Sequence, residues 1–334
     1  MKVSSSAVLP RQLTSALQRR AAWQAQPDTN AYRLLHRAAD GFPDLAVDRY
    51  ADVLIAHVYS AGARVQPPLK VLRALADKTG ARAVYVKYRP TQASVLDEQE
   101  REALAPTAPL WGEAVTETMA QENGLKYLIR PGAGLSVGLF LDMRELRAWV
   151  RKQAAGRTVL NCFAYTCGFG IAALAGGAAR AVNLDVSRRY LEWGKENAAL
   201  NGFTPDPKDF IAGDVFDWVK RFGKRGQTFD IVILDPPSYS TTKYTRFSVQ
   251  KDYGELVNLA ARVVAPGGWL MACANAAELP LGAFKANVRA GLAGFPARTV
   301  RFAHEPEIDF PVASGDTPYL KICLAQFGST DYTD

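Results

Sequence analysis

The stretch FDIVILDPPSYS, residues 229–240, decides the fold. Its first half, 229–234, is an apolar run that predicts a buried strand. The strand stops at Asp235 and two prolines, each of which fixes its own φ and removes a backbone donor. Such a rigid tip can hold a carboxylate and an aromatic ring at the mouth of a parallel sheet, where open α/β sheets bind their ligands. Taken alone, the pattern also fits a plain exit from a strand into a loop.

A strand and a glycine turn precede this tip in RTVLNCFAYTCGFGIAAL, residues 157–174. We predict a strand at 158–160, a loop at 161–166 and a helix that opens with Gly168 and Gly170. Glycines at such a turn let the backbone approach a ligand closely.

Two further predicted strands lead into acids. The strand at 179–185 ends in Asp185, whose spacing after the glycine turn suits a ribose diol because a carboxylate accepts two hydroxyl protons. The strand at 210–212 leads to Asp214, which can accept a hydrogen bond from an adenine amino group. Together with the tip at Asp235, this order predicts a nucleoside-containing cofactor across the strand ends.

The glycine turn favours one such cofactor over another. Gly168-x-Gly170 lacks the third glycine of a dinucleotide fingerprint, and the long loop at 161–167 suits an amino-acid moiety better than a pyrophosphate. The order of motifs resembles class I S-adenosylmethionine-dependent methyltransferases. That resemblance implies an α/β fold with a Rossmann-like sheet of seven strands, the last antiparallel, and S-adenosyl-L-methionine as cofactor. An NAD-dependent dehydrogenase is the alternative.

The predicted cofactor-binding residues lie in the loop and at the strand ends. They are Asn161, Phe163, Ala164, Tyr165, Thr166, Gly168, Asp185, Val186, Asp214, Val215 and Asp235. Asp235 faces the place where a sulfonium methyl group would sit, so it is also a candidate catalytic residue.

Composition limits the class of protein. The chain has 334 residues, of which 48% are hydrophobic, enough for one large or two modest domains. Its 4 cysteines and 3 histidines form no CxxC motif or mixed cluster, so we expect no metal site. We find no signal peptide and no apolar run long enough to cross a bilayer, so we expect a cytoplasmic protein with reduced thiols and no membrane partner.

Positive charge is concentrated near the start of the chain. The formal net charge is +7, and residues 1–37 carry six basic side chains against one acid. Such an arm points to a polyanion such as RNA, while a solvated arm with incidental charge is the alternative. Residues 9–25 predict a short amphipathic helix, for which core packing and an RNA-facing role are both open.

We expect three parts along the chain. A basic helical arm occupies 1–30, a small α+β domain that recognises RNA or substrate occupies 31–132, and the catalytic domain occupies 133–334. The small domain is predicted to contain a hairpin at 45–59 and a helix at 67–80.

Four segments resemble one enzyme family. They are YRLLHRAADGFPDLAVDRYADVLI (32–55), ENGLKYLI (122–129), GLFLDMRELR (138–147) and LDPPSYS (234–240), together with the loop at 161–170. They resemble the ribosomal RNA large subunit methyltransferase I family and the related family that methylates guanine in the same RNA. The resemblance implies large-subunit ribosomal RNA as partner, and a place for Asp142 and Arg144 near the cofactor or target. The alternative for this pair is a helix-terminal acid with a surface arginine.

The sequence departs from that family in three places. The likeness begins near residue 32, so we expect the family's N-terminal RNA-binding PUA domain to be absent and a homodimer to be one way of regaining affinity. Ser136-Val137-Gly138 stands where members often have Lys-Thr-Gly, and Phe310 stands where many have His. These changes concern substrate recognition more than fold or cofactor.

A cysteine is the candidate nucleophile. The fifth predicted strand, 269–273, ends at Cys273, beside Asp235 in the expected strand order. Methylation of cytosine C5 needs a thiolate that adds at C6, and Cys273 matches the nucleophile's place in the family's cytosine-5 members. The alternatives are a packing role for Cys273 and direct transfer to N7 or N2 of guanine, with Asn275 reading a base edge.

Tyr239 is the candidate stacking platform for a flipped base, and Lys243, Arg246 and Lys251 are candidate phosphate contacts. A solvated loop is the alternative for these cations.

Two other functions stay open at this point, namely a methyltransferase for a protein or small molecule and a cofactor-binding RNA chaperone without turnover.

Overall fold

The computed structural model describes residues 11–60, 66–90, 103–204, 206–241, 246–276 and 279–329. At Ser60, at 239–241 and at Arg246 it describes the main chain only. The chain forms two compact units. The first comprises Met1–Asp142 with Pro306–Thr317, and the second comprises Met143–Glu305 with Pro318–Asp334. The boundary therefore falls after Asp142, ten residues beyond the expected one, and the arm belongs to the first unit.

The first unit contains a five-stranded sheet in the order β1-β2-β3-β4-β5. Its strands are β1 (Ala31–His36), β2 (Leu45–Tyr50), β3 (Val53–Ser60), β4 (Ala83–Pro90) and β5 (Trp111–Gly112). Helices α1 (Arg11–Arg19), α2 (Ala21–Gln24) and α3 (Leu69–Thr79) accompany it, and a separate hairpin joins β6 (Thr118–Glu122) to β7 (Leu125–Ile129). The predicted hairpin at 45–59 is confirmed, because β2 and β3 pair antiparallel from Tyr50↔Val53 outward.

Helix α3 connects β3 to β4, which run parallel, as a crossover must. It begins after Pro68 and ends at Gly80, whose φ of +67° is left-handed, so the proline and glycine signals gave both ends correctly. Leu72 and Leu75 of this helix pack on one face of the sheet with Val84.

The amphipathic helix predicted at the start of the chain packs on the first unit. Leu13 and Ala16 of α1 join the same apolar core. Arg20 is 0% exposed and pairs with the carboxylate of Asp40 through two hydrogen bonds of 2.8 and 2.6 Å. It also donates to the carbonyl of Asp309 at 3.1 Å. Arg20 is therefore a structural residue and is not part of a surface for a polyanion.

The second unit is built on a seven-stranded sheet in the order β10-β9-β8-β11-β14-β16-β15. Its strands are β8 (Thr158–Cys162), β9 (Arg180–Asp185), β10 (Phe210–Ala212), β11 (Phe229–Leu234), β14 (Val264–Asn275), β15 (Ala297–Ala303) and β16 (Leu320–Phe327). The pairings from β10 through to β14 are all parallel, and β16 is antiparallel to both of its neighbours. The predicted sheet is confirmed.

Helices cover both faces of this sheet. They are α4 (Arg144–Gln153), α5 (Gly168–Ala175), α6 (Arg188–Leu200), α7 (Val215–Lys224), α8 (Val249–Ala261) and α9 (Leu281–Gly291). A short ribbon pairs β12 (Tyr239–Thr241) with β13 (Arg246–Ser248). The two layers of helices enclose two apolar cores, one on each face of the sheet.

Two sequence-based boundaries were wrong. Asn161 and Cys162 were predicted in the loop but belong to β8, because they pair with Ile233 and Leu234 of β11 in register. The fifth strand, predicted at 269–273, extends over Val264–Asn275, since a long antiparallel partner holds its end. In the part of the chain that the structure describes, no helix is both long and apolar enough to span a membrane.

Candidate active site

The loop after β8 has an unusual backbone. Phe163, Tyr165 and Cys167 all have left-handed φ, of +58°, +50° and +64°. Such values cost free energy in residues with side chains, and they cluster at functional sites. The amide N–H of Tyr165 is held by the carboxylate of Asp185 at 2.9 Å, which fixes the loop against the neighbouring strand.

Asp185 lies at the end of β9 and is half-buried. One carboxylate oxygen accepts from Tyr165 and the other accepts from the N–H of Ser187 at 2.8 Å. Burial raises the pKa of Asp185 above its usual value, and these backbone hydrogen bonds act against that rise. Val186 follows, with an apolar side chain that is 59% exposed. A carboxylate with spare lone pairs thus lies next to an exposed apolar side chain.

Asp214 lies beside this pair because β10 runs parallel to β9, with Ala212 opposite Asp185. Its side chain caps α7 by accepting from the N–H of Phe216 at 2.9 Å. Val215, predicted to contact the cofactor, is buried in the apolar core. The cap explains structurally why an aspartate stands at this position.

The tip after β11 meets the end of β14. Leu234 pairs with Ala272, so Asp235 and Cys273 follow on neighbouring parallel strands, as predicted. Ser238 donates its hydroxyl hydrogen to the carbonyl of Asn275 at 2.9 Å, which ties the two strand ends together. Asn275 is exposed, while Asp235 is half-buried.

The comparisons with known proteins agree with this geometry. A family profile described as S-adenosylmethionine-dependent methyltransferase matches residues 32–290. The chain belongs to the S-adenosylmethionine-dependent methyltransferase family. The predictions of family, fold and cofactor are therefore confirmed.

Two curated relatives of this methyltransferase are named "Ribosomal RNA large subunit methyltransferase I". The protein from Aeromonas salmonicida (strain A449) is 37% identical over 242 residues, 72% of this chain. The protein from Aliivibrio fischeri (strain ATCC 700601 / ES114) is 33% identical over 287 residues, 85% of this chain and 70% of its own length. The chain spans 59% of the length of the Aeromonas salmonicida relative.

Solved structures also resemble this methyltransferase. SMU.776, solved in complex with SAH, has a TM-score of 0.79 and 26% identity, covering 94% of this chain and 80% of its own. A second structure, from Streptococcus mutans, has a TM-score of 0.78 and covers 96% of this chain and 83% of its own, also at 26% identity.

The residues at the ends of β9 and β10 fit the methyltransferase cofactor. The half-buried carboxylate of Asp185 can accept hydrogen bonds from ribose hydroxyl groups, and the exposed Val186 offers an apolar surface for a purine ring. Gly170 was predicted to let the backbone approach a ligand, but the structure gives this glycine a different role. A Cβ there would lie 2.2 Å from Oδ1 of Asn183, so Gly170 makes room for a buried side chain and not for a ligand.

Cys273 does not reach the surface of the methyltransferase unit. It is 0% exposed and packs in the apolar core that also contains Phe169, Leu320 and Ile322. Tyr253 donates its hydroxyl hydrogen to the carbonyl of Cys273 at 2.7 Å, which fixes the end of the strand. The adjacency to Asp235 was predicted correctly, whereas the full burial of the thiol was not.

The remaining predicted residues are distributed as follows. Arg144 opens α4 and is 1% exposed, so it is not a surface residue. Thr166 and Ala164 are buried in the loop. The main chain of Tyr239 pairs with that of Ser248, but its side chain lies outside the described part, as do Lys243 and the side chain of Arg246. Lys251 is exposed.

Sequence reasoning missed two asparagines that support the loop. Asn183 accepts from Nδ2 of Asn161 at 3.0 Å between neighbouring strands. Asn197 of α6 donates to the carbonyl of Thr166 at 3.2 Å. Both are buried, and a polar residue inside an otherwise apolar strand or helix face is the signal that could have found them. Among the residues that the structure describes, no group of three or more His, Cys, Asp or Glu could hold a metal ion.

Proposed function

We propose that this chain transfers a methyl group from S-adenosylmethionine to a base of large-subunit ribosomal RNA. The observation that carries the proposal is the identity of 37% and 33% to relatives named for that RNA, over 72% and 85% of the chain. The residues that the family profile matches, 32–290, contain the strand ends described above. The cofactor supplies an electrophilic methyl group when it is bound.

Each strand end has a role in this proposal. Asp185 accepts the ribose hydroxyl protons, and Val186 packs on the adenine. Asp214 accepts from the adenine amino group, and the loop at 161–168 holds the amino-acid moiety. Arg144, at the start of α4, contributes to cofactor binding in this proposal, as the family resemblance implies. Asp235 orients the target base at the tip, where Tyr239 provides the stacking surface.

The first candidate chemistry is methylation of cytosine C5. In this reaction the thiolate of Cys273 adds to C6 of the base, which makes C5 nucleophilic. After methylation the proton on C5 passes to a base, for which Asp235 is the neighbouring carboxylate, and the thiolate leaves as the C5–C6 double bond forms again. The in-register ends of β11 and β14 support this assignment.

The second candidate chemistry is direct transfer to a ring or amino nitrogen of guanine. It needs no thiolate, and it is favoured by the full burial of Cys273 together with the exposure of Asn275. The amide of Asn275 can both donate to and accept from a base edge. Its carbonyl is tied to Ser238, so the residue has a fixed position beside the tip.

One experiment tests the function and separates the two chemistries. The protein is incubated with labelled S-adenosylmethionine and unmodified large-subunit ribosomal RNA, and the RNA is digested to nucleosides for mass spectrometry. Labelled 5-methylcytidine that is lost in Cys273→Ala, but kept in Cys323→Ala, supports the covalent route. Cys323 is the matched control because it is equally buried on the adjacent β16.

Other outcomes point elsewhere. Labelled methylguanosine in wild type and in Cys273→Ala supports direct transfer. RNA that contains 5-fluorocytidine at the target traps a covalent adduct only in the first chemistry, since the fluorine at C5 cannot leave as a proton does. Absence of label in both naked RNA and assembled subunits contradicts the RNA assignment and favours a protein or small-molecule substrate. The homodimer expected from the sequence stays a prediction, which the mass of the protein in solution checks.

A further inference from the structure

A surface cavity of about 470 Å³ lies at one edge of the seven-stranded sheet of the second unit. All three residues of the edge strand β10, Phe210–Ala212, line it, and we call it the edge cavity. In the part of the chain that the structure describes, β10 pairs only with β9, so main-chain groups on its other side face outward. The volume lies within the range of ligand sites, roughly 300–1,000 Å³.

The charged side chains that line the edge cavity are all basic. They are Arg180, Arg188, Lys208 and Arg225, and all four are exposed. Arg180 pairs with Asp209 at 2.6 Å, so its charge is already used. The other three have no acidic side chain as a partner among the residues that the structure describes. The edge cavity therefore attracts negative charge.

Two aromatic rings line the edge cavity together with these cations. They belong to Phe210 of β10 and Trp218 of α7, which are both half-buried. The guanidinium of Arg221 lies 5.2 Å from the ring of Trp218. A Cβ at Gly213 would lie 2.3 Å from Nε1 of Trp218, so the indole lies against the main chain just after β10. The cavity thus offers aromatic surface as well as positive charge.

The cations are spread along the edge of the sheet. Arg180 is the first residue of β9, and Arg188 follows the end of that strand. At about 3.3 Å per residue, the strand separates these two ends by roughly 16 Å. A row of separated cations suits a chain of repeated negative charges better than one small anion. Cations in a groove with aromatic rings for stacking are the combination that binds single-stranded nucleic acid.

We propose that the edge cavity binds a single-stranded segment of the RNA substrate. Arg188, Lys208 and Arg225 contact its phosphate groups, and Trp218 provides a stacking surface for one base. This inference rests on the proposed function, since RNA is the substrate named there. The cavity is separate from the site of methyl transfer, because β10 lies three strand spacings from β11, about 14 Å across the sheet. The bound segment therefore holds the RNA beside the target base and is not the target itself.

The test of charge uses the double variant Lys208→Gln/Arg225→Gln in the full chain. Both side chains are exposed, and neither has a role in cofactor binding or methyl transfer, so the variant should fold and bind the cofactor as the wild type does. The matched control is Lys152→Gln/Arg262→Gln. It removes the same charge from two exposed residues of the second unit that do not line the cavity.

RNA binding is measured by fluorescence anisotropy with unmodified large-subunit ribosomal RNA over a series of salt concentrations. We expect Lys208→Gln/Arg225→Gln to lose on the order of tenfold or more in affinity. The slope of log K against log salt should fall by about 1.4, since each lost contact to a single strand contributes about 0.7. The control should keep the wild-type affinity and slope. Wild-type affinity and slope in the first double variant overturn the inference.

The test of stacking uses Trp218→Leu, which keeps an apolar side chain and removes the ring. We expect it to lose at least about fivefold in RNA affinity with an unchanged salt slope, because stacking releases no counterions. Trp218→Phe keeps a ring and should retain most of the affinity. A purely structural role predicts a lower melting temperature with wild-type RNA affinity, and that result overturns the stacking role. If Trp218→Leu does not fold, Trp218→Phe and the charge variants still decide.

Three further measurements separate the possible failures. RNA that contains 4-thiouridine is cross-linked to the wild type by light, and cross-links confined to peptides outside 207–227 overturn the inference. Methylation of RNA by the wild type tests the proposed function by itself, so methylation with unchanged RNA binding in Lys208→Gln/Arg225→Gln shows that only the edge cavity is wrong. Polyglutamate is the third probe. If that variant loses binding to polyglutamate but keeps its RNA affinity, the cavity takes an acidic peptide and the RNA assignment is overturned.

Discussion

The carboxylate of Asp185 accepts the amide hydrogen of Tyr165 at 2.9 Å and so joins the end of β9 to the loop after β8. This contact fixes a left-handed residue whose conformation the local sequence does not favour. The same carboxylate is the residue to which we assign the ribose hydroxyl groups. One side chain therefore shapes the cofactor loop and binds the cofactor.

Asp185→Asn should weaken cofactor binding without unfolding the protein. Asparagine keeps one acceptor for the loop but loses the charge, so we expect a loss of about 1.5–3 kcal/mol in binding free energy. Burial raises the pKa of Asp185, which means that the charged carboxylate costs stability. The amide nitrogen of asparagine leaves one of the two backbone donors, Tyr165 or Ser187, without an acceptor, so we expect the cofactor-free variant to lose about 1–3 kcal/mol of unfolding free energy.

Isothermal titration with S-adenosylmethionine and thermal unfolding without it check both statements. Asp217→Asn is the control, since Asp217 is an exposed acid on the adjacent helix. Unchanged cofactor affinity in Asp185→Asn would contradict the role given to this residue.

Gly170→Ala should destabilise the methyltransferase unit by about 1–3 kcal/mol because it overpacks a buried site. The added Cβ would lie 2.2 Å from Oδ1 of Asn183, which holds Asn161 on the neighbouring strand. Gly282→Ala is the contrasting variant. Gly282 lies in α9, where an added Cβ would meet nothing within 4 Å, so alanine should stabilise that helix by about 0.5–1 kcal/mol. Chemical denaturation of both variants measures the difference, and equal effects would refute the packing argument.

Acidification should destabilise the first unit through two histidines, the buried His57 and the half-buried His36. Burial lowers the pKa of His57 to about 4 and that of His36 to about 3, from 6.5, although Asp48 acts in the opposite direction on both. Below pH 6.5 the unfolded chain binds a proton at each site and the folded chain does not, so stability falls as the pH falls. Each histidine contributes about 1.4 kcal/mol per pH unit until its folded pKa is reached.

His57→Gln should remove one of these contributions, and chemical denaturation at several values between pH 7 and pH 4 measures it. Glutamine can still donate to Asp48, so the ion pair of Asp48 with Arg33, at 2.7 Å, is kept. His304→Gln, which lies in the second unit, is the control. A pH dependence of unfolding that is the same in His57→Gln and wild type would show that His57 is not responsible.

The four cysteines should be unreactive in the native protein. All of them are buried, and burial raises the pKa of Cys162 and Cys167, and that of Cys323 to about 12. Ellman's reagent at pH 8 should therefore react only after denaturation, when 4 thiols become available. Rapid reaction of one thiol in the native protein would contradict the burial of the cysteines. If that reaction is missing in Cys273→Ala, the reactive thiol is Cys273, and the covalent chemistry is favoured.

The sequence predicted the parts of the site that depend on local pattern. Apolar runs with an acid at or just after their ends gave the strands that lead to Asp185, Asp214 and Asp235, because a buried parallel strand must be apolar and its carboxyl end carries the functional residue. Gly80 likewise predicted the end of α3 from the local sequence, because glycine readily adopts the left-handed conformation that ends the helix there.

Other features required contacts between distant residues. Cys273 and Asn275 are two residues apart on one strand, yet one is buried and the other exposed, because the strand reaches the surface at Asn275, its last residue. Arg20 looked like a surface cation and is buried against Asp40. A local sequence pattern cannot show which partner lies opposite a polar side chain.

The sequence by itself determined the order of strands and turns, because these follow from periodicity and from residues with restricted φ. It indicated the family and the cofactor through motifs that resemble a known family. The tertiary structure decided which polar groups are buried together. Asn161 meets Asn183, and Arg33 meets Asp48, only after sheet pairing has set the register of each strand. The physical reason is that burial and pairing depend on neighbours brought together by the fold, whereas helix ends and strand tips depend on residues adjacent in the chain.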